Sequence, residues 1–394
     1  MKSICGVRLI QRDGILENAW ITFENGEISD VGEGAAPLCA DSIDGENLYL
    51  APGFIDMHVH GGNGADFLDG TAEAWLAAAD FHLSRGTTAL CPTFASTTYE
   101  RMARLLDLWP EVRRRSRARL LPVHLEGPHL AATKAGAQDP RLLRAPADSD
   151  IAWLLDNKAR ISQMTIAPEL PNAPAAIEVL SKAGIVMSAG HSEATEREMG
   201  GARGVAKVTH LYNAMTYAAK EGLFRRAGLV EYALAEESLA CELIADGFHV
   251  TPILMKLAYR AKGPSKMALV SDALAGAGLP LGSEFMLGTL ACRVAEGVCT
   301  LLDGSALSGS ATTLIDQVRV VTGSVGVPLW DAVTMAAYTP ARILGIHDRY
   351  GTLQPRKAAD FVLFDDDFEV RAVWVDGQLS CRIPGGRVVH RTEV

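Results

Sequence analysis

A (β/α)8 barrel is the fold class the sequence predicts, and three observations predict it. Eight short apolar runs recur through the middle of the chain, helix-compatible stretches separate them, and several runs stop at a histidine, glutamate or aspartate. Runs without polar alternation suit strands buried on both faces, as in parallel sheets. Strands alternating with helices build βα units. In a closed barrel of such units, functional residues gather at the C-terminal ends of the strands.

The elements follow in order. Residues 4–10, 19–24, 28–31 and 48–50 read as short strands, with turns at Arg12-Asp13-Gly14 and Glu24-Asn25-Gly26. The first barrel run is Pro52-Gly53-Phe54-Ile55-Asp56-Met57-His58-Val59-His60-Gly61. Residues 87–95, 120–125, 164–167 and 184–190 give the next four, the third of the eight ending in Glu126-Gly127-Pro128 and the fifth in His191-Ser192. Residues 207–209, 239–245 and 267–271 complete the set, ending in His210, Asp246-Gly247 and Asp272. Residues 72–84, 98–115, 173–183 and 252–261 are helix-compatible, as are 311–323 and 330–344 after the last barrel run. Residues 359–365, 370–375 and 387–390 are strand-like again, with a turn at Asp376-Gly377. Neither end has enough strands to bury a core alone, so 1–50 and 350–394 are expected to pair into one small β domain. Residues 51–349 form the barrel.

Composition narrows the function. The 394 residues are 48% hydrophobic and 21% charged, the pattern of an ordinary globular chain. A net charge of −10 argues against nucleic-acid or anionic-membrane partners but leaves room for a small anionic ligand met by local cations. Arg113-Arg114-Arg115-Ser116-Arg117 reads as a solvated helix end. Seven cysteines include no C-x-x-C pair, and neither a signal peptide nor a membrane-length apolar run is seen, so a reduced cytoplasmic setting is expected.

The strand ends carry the chemistry. His58 and His60, spaced i, i+2 on a strand, project from one face and can close on a single metal ion. Glu126, His191 and His210 supply an oxygen and two imidazoles at neighbouring strand ends, and Asp272 supplies a further carboxylate. His124 shares a strand face with Glu126 and is read as packing beneath it. His82, His347 and His390 are read as surface or packing residues, Glu169 as a buried hydrogen-bonding partner, and Asp246 as a group that orients a ligand.

A series of motifs then points to a family. After the Pro-Gly-Phe-Ile-Asp-x-His-x-His-Gly segment come Leu125-Glu126-Gly127-Pro128, Gly190-His191, Thr209-His210-Leu211-Tyr212-Asn213-Ala214-Met215 and Ile244-Ala245-Asp246-Gly247-Phe248-His249-Val250. Val270-Ser271-Asp272-Ala273, Leu307-Ser308-Gly309-Ser310 and Thr339-Pro340-Ala341-Arg342 complete it. Across essentially the whole chain this resembles the N-acetylglucosamine-6-phosphate deacetylase family of the amidohydrolase superfamily. The resemblance implies a distorted barrel with a β-sandwich built from both termini.

It also implies a metal-dependent hydrolysis of an acetamide on an amino sugar 6-phosphate, in a homodimer. Glu126, His191 and His210 would form the principal metal site. His58 and His60 would add a second, with Glu126 bridging, so one or two ions fit. Zn²⁺ suits these ligands best, and Fe²⁺ or another divalent ion also suits them. Asp272 would be the general base and acid. His249, Asn213, Ala214, Ala137, Leu307 and Ser308 match substrate-lining positions.

Three segments depart from the family pattern. Gln138, in Ala135-Gly136-Ala137-Gln138, stands where the family has a histidine. A phosphate-binding arginine is represented only by Arg225-Arg226-Ala227-Gly228, and that residue reaches in from a neighbouring subunit in the family. His129 and Ala131 follow Glu-Gly-Pro where an aromatic residue and an asparagine are common. An unphosphorylated or different N-acyl amino sugar, an N-acyl amino acid or a cyclic amide are the alternative substrates.

Overall fold

The computed structural model describes residues 1–39, 41–382 and, for the backbone alone, 389–390. Its centre is a parallel barrel of eight strands: Phe54–Val59, Thr87–Phe94, Val123–Glu126, Ile161–Ile166, Val186–Ala189, Val205–Val208, Ala240–Leu243 and Met267–Leu269. Each pairs in parallel with the next. Every residue of the first two strands is buried, as a sheet covered on both faces requires. The eighth strand meets the first without a regular ladder. The Asp272 amide instead donates to the His58 carbonyl at 2.9 Å, and the His60 amide donates to the Ala273 carbonyl at 2.9 Å. That irregular seam lies where His58, His60 and Asp272 meet.

Helices Ala72–Ser84, Tyr99–Arg115, Ala173–Lys182 and Pro252–Lys262 cover the outside. Thr71 and Thr98 cap the first two through their side-chain oxygens, satisfying backbone amides that have no partner within the helix. Two expected elements are split by proline. Residues 120–125 divide into Arg119–Leu120 and Val123–Glu126 on either side of Pro122, which has no N–H to donate. Residues 330–344 divide into Leu329–Ala336 and Tyr338–Ile343 at Ala337, because Pro340 cannot donate to the Ala336 carbonyl.

The two ends of the chain do join. Tyr49–Pro52 pairs antiparallel with Phe361–Phe364, linking the amino-terminal strands Lys2–Ile10, Ile15–Glu24 and Glu27–Glu33 to Val370–Val375 and Gln378–Arg382 in one sheet. Val389–His390 pairs with Asp41–Asp44, while residues 387 and 388 of the expected last strand lie outside the described residues. Ile4, Leu9, Phe23, Leu50, Phe361 and Trp374 form the separate core of this sheet.

Among the described residues, several elements have no counterpart in the sequence reading, and two of them lie near the barrel mouth. A four-stranded antiparallel sheet (Glu284–Leu287, Leu290–Val294, Val298–Leu301, Leu307–Ser310) follows the eighth barrel strand, and a small hairpin (Ala219–Glu221, Phe224–Arg226) follows the sixth. Their strands are three to five residues long and partly exposed, so no apolar run marks them.

Candidate metal centre

The barrel delivers its polar side chains to one mouth. His58 lies in the first strand, His60 just beyond it, and Glu126 ends the third. His191, His210 and Asp272 lie two or three residues past the fifth, sixth and eighth strands, with φ of 47°, 31° and 47°. Non-glycine residues seldom occupy this left-handed region, and the cost is characteristic of functional sites. Gly190, just before His191, cannot carry a side chain: a Cβ there would sit 2.7 Å from the Thr209 Cβ. The backbone thus kinks at each strand end and turns the following side chain inward.

Two groups result. Glu126 Oε1 lies 3.1 Å from the Nε2 atoms of both His191 and His210, which are 3.0 Å apart. His58 and His60 bring their Nε2 atoms within 3.2 Å, with Asp272 Oδ1 at 3.4 and 3.2 Å. Glu126 joins the groups, since its Oε2 lies 3.3 Å from His60 Nε2. In each group the three ligand atoms lie within 4.8 Å of one another.

The donor set fits a divalent ion. Tetrahedral Zn–N bonds near 2.0–2.1 Å place two ligand nitrogens about 3.3 Å apart, close to the separations seen. His191 Nδ1 bonds the Lys134 carbonyl at 2.7 Å, and His58 Nδ1 bonds Glu242 at 3.0 Å. Both must donate from Nδ1, which leaves the Nε2 lone pairs facing their partners. A divalent ion between them would take up these lone pairs and the facing carboxylate oxygens together.

The charges are tightly balanced. Burial opposes ionisation of Glu126, but His58 and His191 hold its carboxyl well below the usual range. Asp272 is held down in the same way by His58 and His60. Burial works against a charged His60, yet Asp272 and Glu126 push it up to about 9. His124 goes the other way, driven down by burial and by His58. It packs beneath the site, bonding Thr165 Oγ1 at 2.8 Å and Thr93 Oγ1 at 3.3 Å.

Above the centre is a cavity of about 270 Å³. Ala137, Gln138, Asn213, Ala214, His249, Leu307 and Ser308 all line it, with His60, Glu126, His191, His210 and Asp272 at its base. The inserted sheet closes one wall through Leu287 and Leu307. Asp246 accepts from His249 Nδ1 at 2.6 Å, leaving Nε2 available to a ligand. Ser308 Oγ is buried beside the Cys292 thiol. Gln138 is already engaged: its amide donates to Glu126 Oε2 at 2.6 Å, and its oxygen accepts from the Ser96 amide at 2.7 Å.

Arg225 and Arg226 stand apart. They lie on the exposed hairpin, where Arg226 pairs with Glu221 at 3.2 Å, and neither lines the cavity. Among the described residues no lysine or arginine lines it. Glu169 accepts from Ser192 Oγ at 2.7 Å and from the Glu193 amide at 2.6 Å, anchoring the loop after His191. His129 is packed between the Tyr99 hydroxyl and the Arg144 carbonyl, while the Ala131 amide donates to the His191 carbonyl. His82 is fully buried on the Gly61 carbonyl.

Sequence reasoning missed Lys207 and Glu242, both fully buried beneath the centre. Glu242 interrupts an apolar barrel run and Lys207 opens one, and a charge inside a doubly covered strand is the signal that could have found them.

Comparison with known proteins agrees with this geometry. The amidohydrolase family model matches residues 49–380. An N-acetylglucosamine-6-phosphate deacetylase of Lysinibacillus sphaericus is 31% identical over 376 residues, 92% of this chain and 93% of that one. An N-acetylgalactosamine-6-phosphate deacetylase of Shewanella sp. (strain ANA-3) is 34% identical over 84% of this chain and 82% of its own length. Among solved structures, N-acetyl-D-glucosamine-6-phosphate deacetylase of Mycobacterium smegmatis in complex with N-acetyl-D-glucosamine-6-phosphate superposes with a TM-score of 0.89 at 30% identity. It covers 96% of this chain and 99% of that one.

Proposed function

From the premise that this chain belongs to the amidohydrolase family, we propose that it hydrolyses the acetamide of an N-acetylhexosamine 6-phosphate, giving the free amino sugar phosphate and acetate. The observation that carries this reading is the convergence of Glu126, His191, His210 and Asp272 on the base of one cavity. N-acetylglucosamine 6-phosphate is the leading substrate. Relatives named for both the gluco and the galacto sugar keep the epimer within the test.

Glu126, His191 and His210 would hold the principal divalent ion, Zn²⁺ by preference and Fe²⁺ as an alternative. His58 and His60, with Asp272 or the second oxygen of Glu126, would hold another. When bound, such an ion supplies Lewis acidity to the acetyl carbonyl and lowers the pKa of water.

The remaining work falls to the chain. Asp272, held ionised by the neighbouring histidines, takes the proton of the attacking water and returns it to the departing amine. His249, oriented by Asp246, offers Nε2 to the substrate. Asn213, Ala214, Leu307 and Ser308 shape the sugar pocket. Gln138 holds Glu126 in place.

Among the described residues no lysine or arginine lines this cavity, which leaves His249 as its candidate cation for a phosphate. The hairpin carrying Arg225 and Arg226 projects Leu223 and Phe224 at 89% and 66% exposure, as a segment covered by a second copy would. A homodimer in which each hairpin closes the partner's cavity supplies the missing charge. The lack of a lysine or arginine among the described residues lining the cavity is also what favours the second reading, an unphosphorylated N-acyl amino sugar. All seven cysteines are free, which suits a reducing compartment such as the cytoplasm, and among the described residues no helix is long and apolar enough to cross a membrane.

A panel of phosphorylated and unphosphorylated N-acetylglucosamine and N-acetylgalactosamine, read by acetate release, tests the assignment. Preference for the phosphorylated sugars supports it. Equal turnover of both forms moves it to the second reading.

A further inference from the structure

Beneath the two groups lies a buried ion pair that the proposed chemistry leaves unused. The Lys207 ammonium meets Glu242 Oε1, and both side chains are wholly inaccessible. The other oxygen, Oε2, accepts from His58 Nδ1 at 3.0 Å and from the His210 backbone amide at 3.3 Å. The Glu242 carbonyl also accepts from the Leu211 amide at 2.8 Å. One carboxylate, on the seventh strand, therefore touches a histidine of each group, His58 of the first strand and His210 just beyond the sixth.

We propose that Glu242 is a positioning residue for the second ion: it fixes the His58 imidazole with Nε2 facing His60 and Asp272, while Lys207 holds its other oxygen. This rests on the divalent-metal reading of the site. A buried ion pair is costly to form and is weak evidence for stability alone, since apolar residues of similar shape serve as well. Its contacts point to the histidines. An outer carboxylate that holds a ligand histidine typically changes metal affinity by about 10–100-fold. Glu242 holds His58 by its side chain but His210 only through the backbone, so the two ions should respond unequally.

The test is a Zn²⁺ titration of metal-stripped protein, read as affinity and stoichiometry. Removing one charge alone could unfold the chain, so both variants are made in a Lys207→Met background. Glu242→Gln then keeps a neutral acceptor for His58 Nδ1, and Glu242→Leu removes it. The expected result is that the Leu variant binds the ion of the His58 group roughly 10–100-fold more weakly than the Gln variant. The ion of the Glu126, His191 and His210 group should be retained by both. Thermal unfolding of the two variants controls for stability. Equal Zn²⁺ affinity in the Gln and Leu variants would overturn the proposal. So would a wild-type protein whose single ion survives His58→Ala. A wild type that binds no ion at all overturns the metal reading as well, and so separates the two failures.

Discussion

The base of the cavity and the 219–226 hairpin solve opposite problems. At the base, His58, Glu126, His191, His210 and Asp272 are buried and joined by contacts of 3.0–3.5 Å, with Glu242 bracing His58 and the Lys134 carbonyl bracing His191. On the hairpin, every residue is exposed and Arg226 pairs with the surface carboxylates of Glu196 and Glu221. Reaction chemistry needs groups held to a fraction of an ångström, which burial and paired charges provide. Choosing a substrate from outside needs reach, which an exposed hairpin provides when a second copy covers it. On the proposed reading, the difference teaches that reaction chemistry and phosphate recognition are separated in space.

Damage to the base should have the largest effects. His191→Ala/His210→Ala removes two of the three ligands of the principal site, so its ion should be lost and deacetylation should fall by at least about a thousandfold. Metal analysis and acetate release check this, and full metal occupancy in the double variant would reject the site as drawn. Asp272→Asn keeps the shape but cannot take the proton, so kcat should fall by roughly 10²–10⁴ with the metal of the Glu126 group retained. Near-normal turnover would place the base elsewhere.

The support under the base should show in stability before activity. Lys207→Met alone leaves Glu242 as a buried charge without its partner. The expected loss is about 3–5 kcal/mol in denaturant unfolding, largely recovered when Glu242→Leu is added. A single variant as stable as wild type would mean that the pair is solvated.

Changes to the hairpin should be the mildest and the most selective. Arg225→Ala or Arg226→Ala should raise KM for the 6-phosphate roughly 10–100-fold, the worth of a charge-assisted hydrogen bond, and leave the unphosphorylated sugar unchanged. Sedimentation should show a dimer. A monomer with unchanged KM in both variants would remove the hairpin from phosphate recognition.

The same division explains what the sequence disclosed. Barrel strands announce themselves because burial on both faces forces continuous apolar runs, and the residues at their ends mark the mouth. His58, His60, Glu126, His191, His210 and Asp272 were therefore legible as a set. The long helices were legible as helix-compatible stretches between the apolar runs, and Ala72–Ser84 matches its expected bounds. Prolines were underweighted: Pro122 and Pro340 break elements that hydrophobicity alone joins. The inserted sheet at 284–310 was illegible because short, half-exposed strands carry no strong pattern. The Lys207–Glu242 pair was hidden for another reason, since apolar neighbours outvote one charge in a run. Gln138 was visible as a departure from the family pattern, but its grip on Glu126 depends on residues distant in sequence and appears only in the fold.

The central claim is that the cavity base performs a metal-dependent deacetylation. Its most direct measurement is acetate released from N-acetylglucosamine 6-phosphate by purified protein, before chelation, after it, and after Zn²⁺ is restored. The account predicts one acetate per amino sugar formed, loss of turnover on chelation and recovery with the metal. Acetate release that persists unchanged in metal-free protein would contradict it.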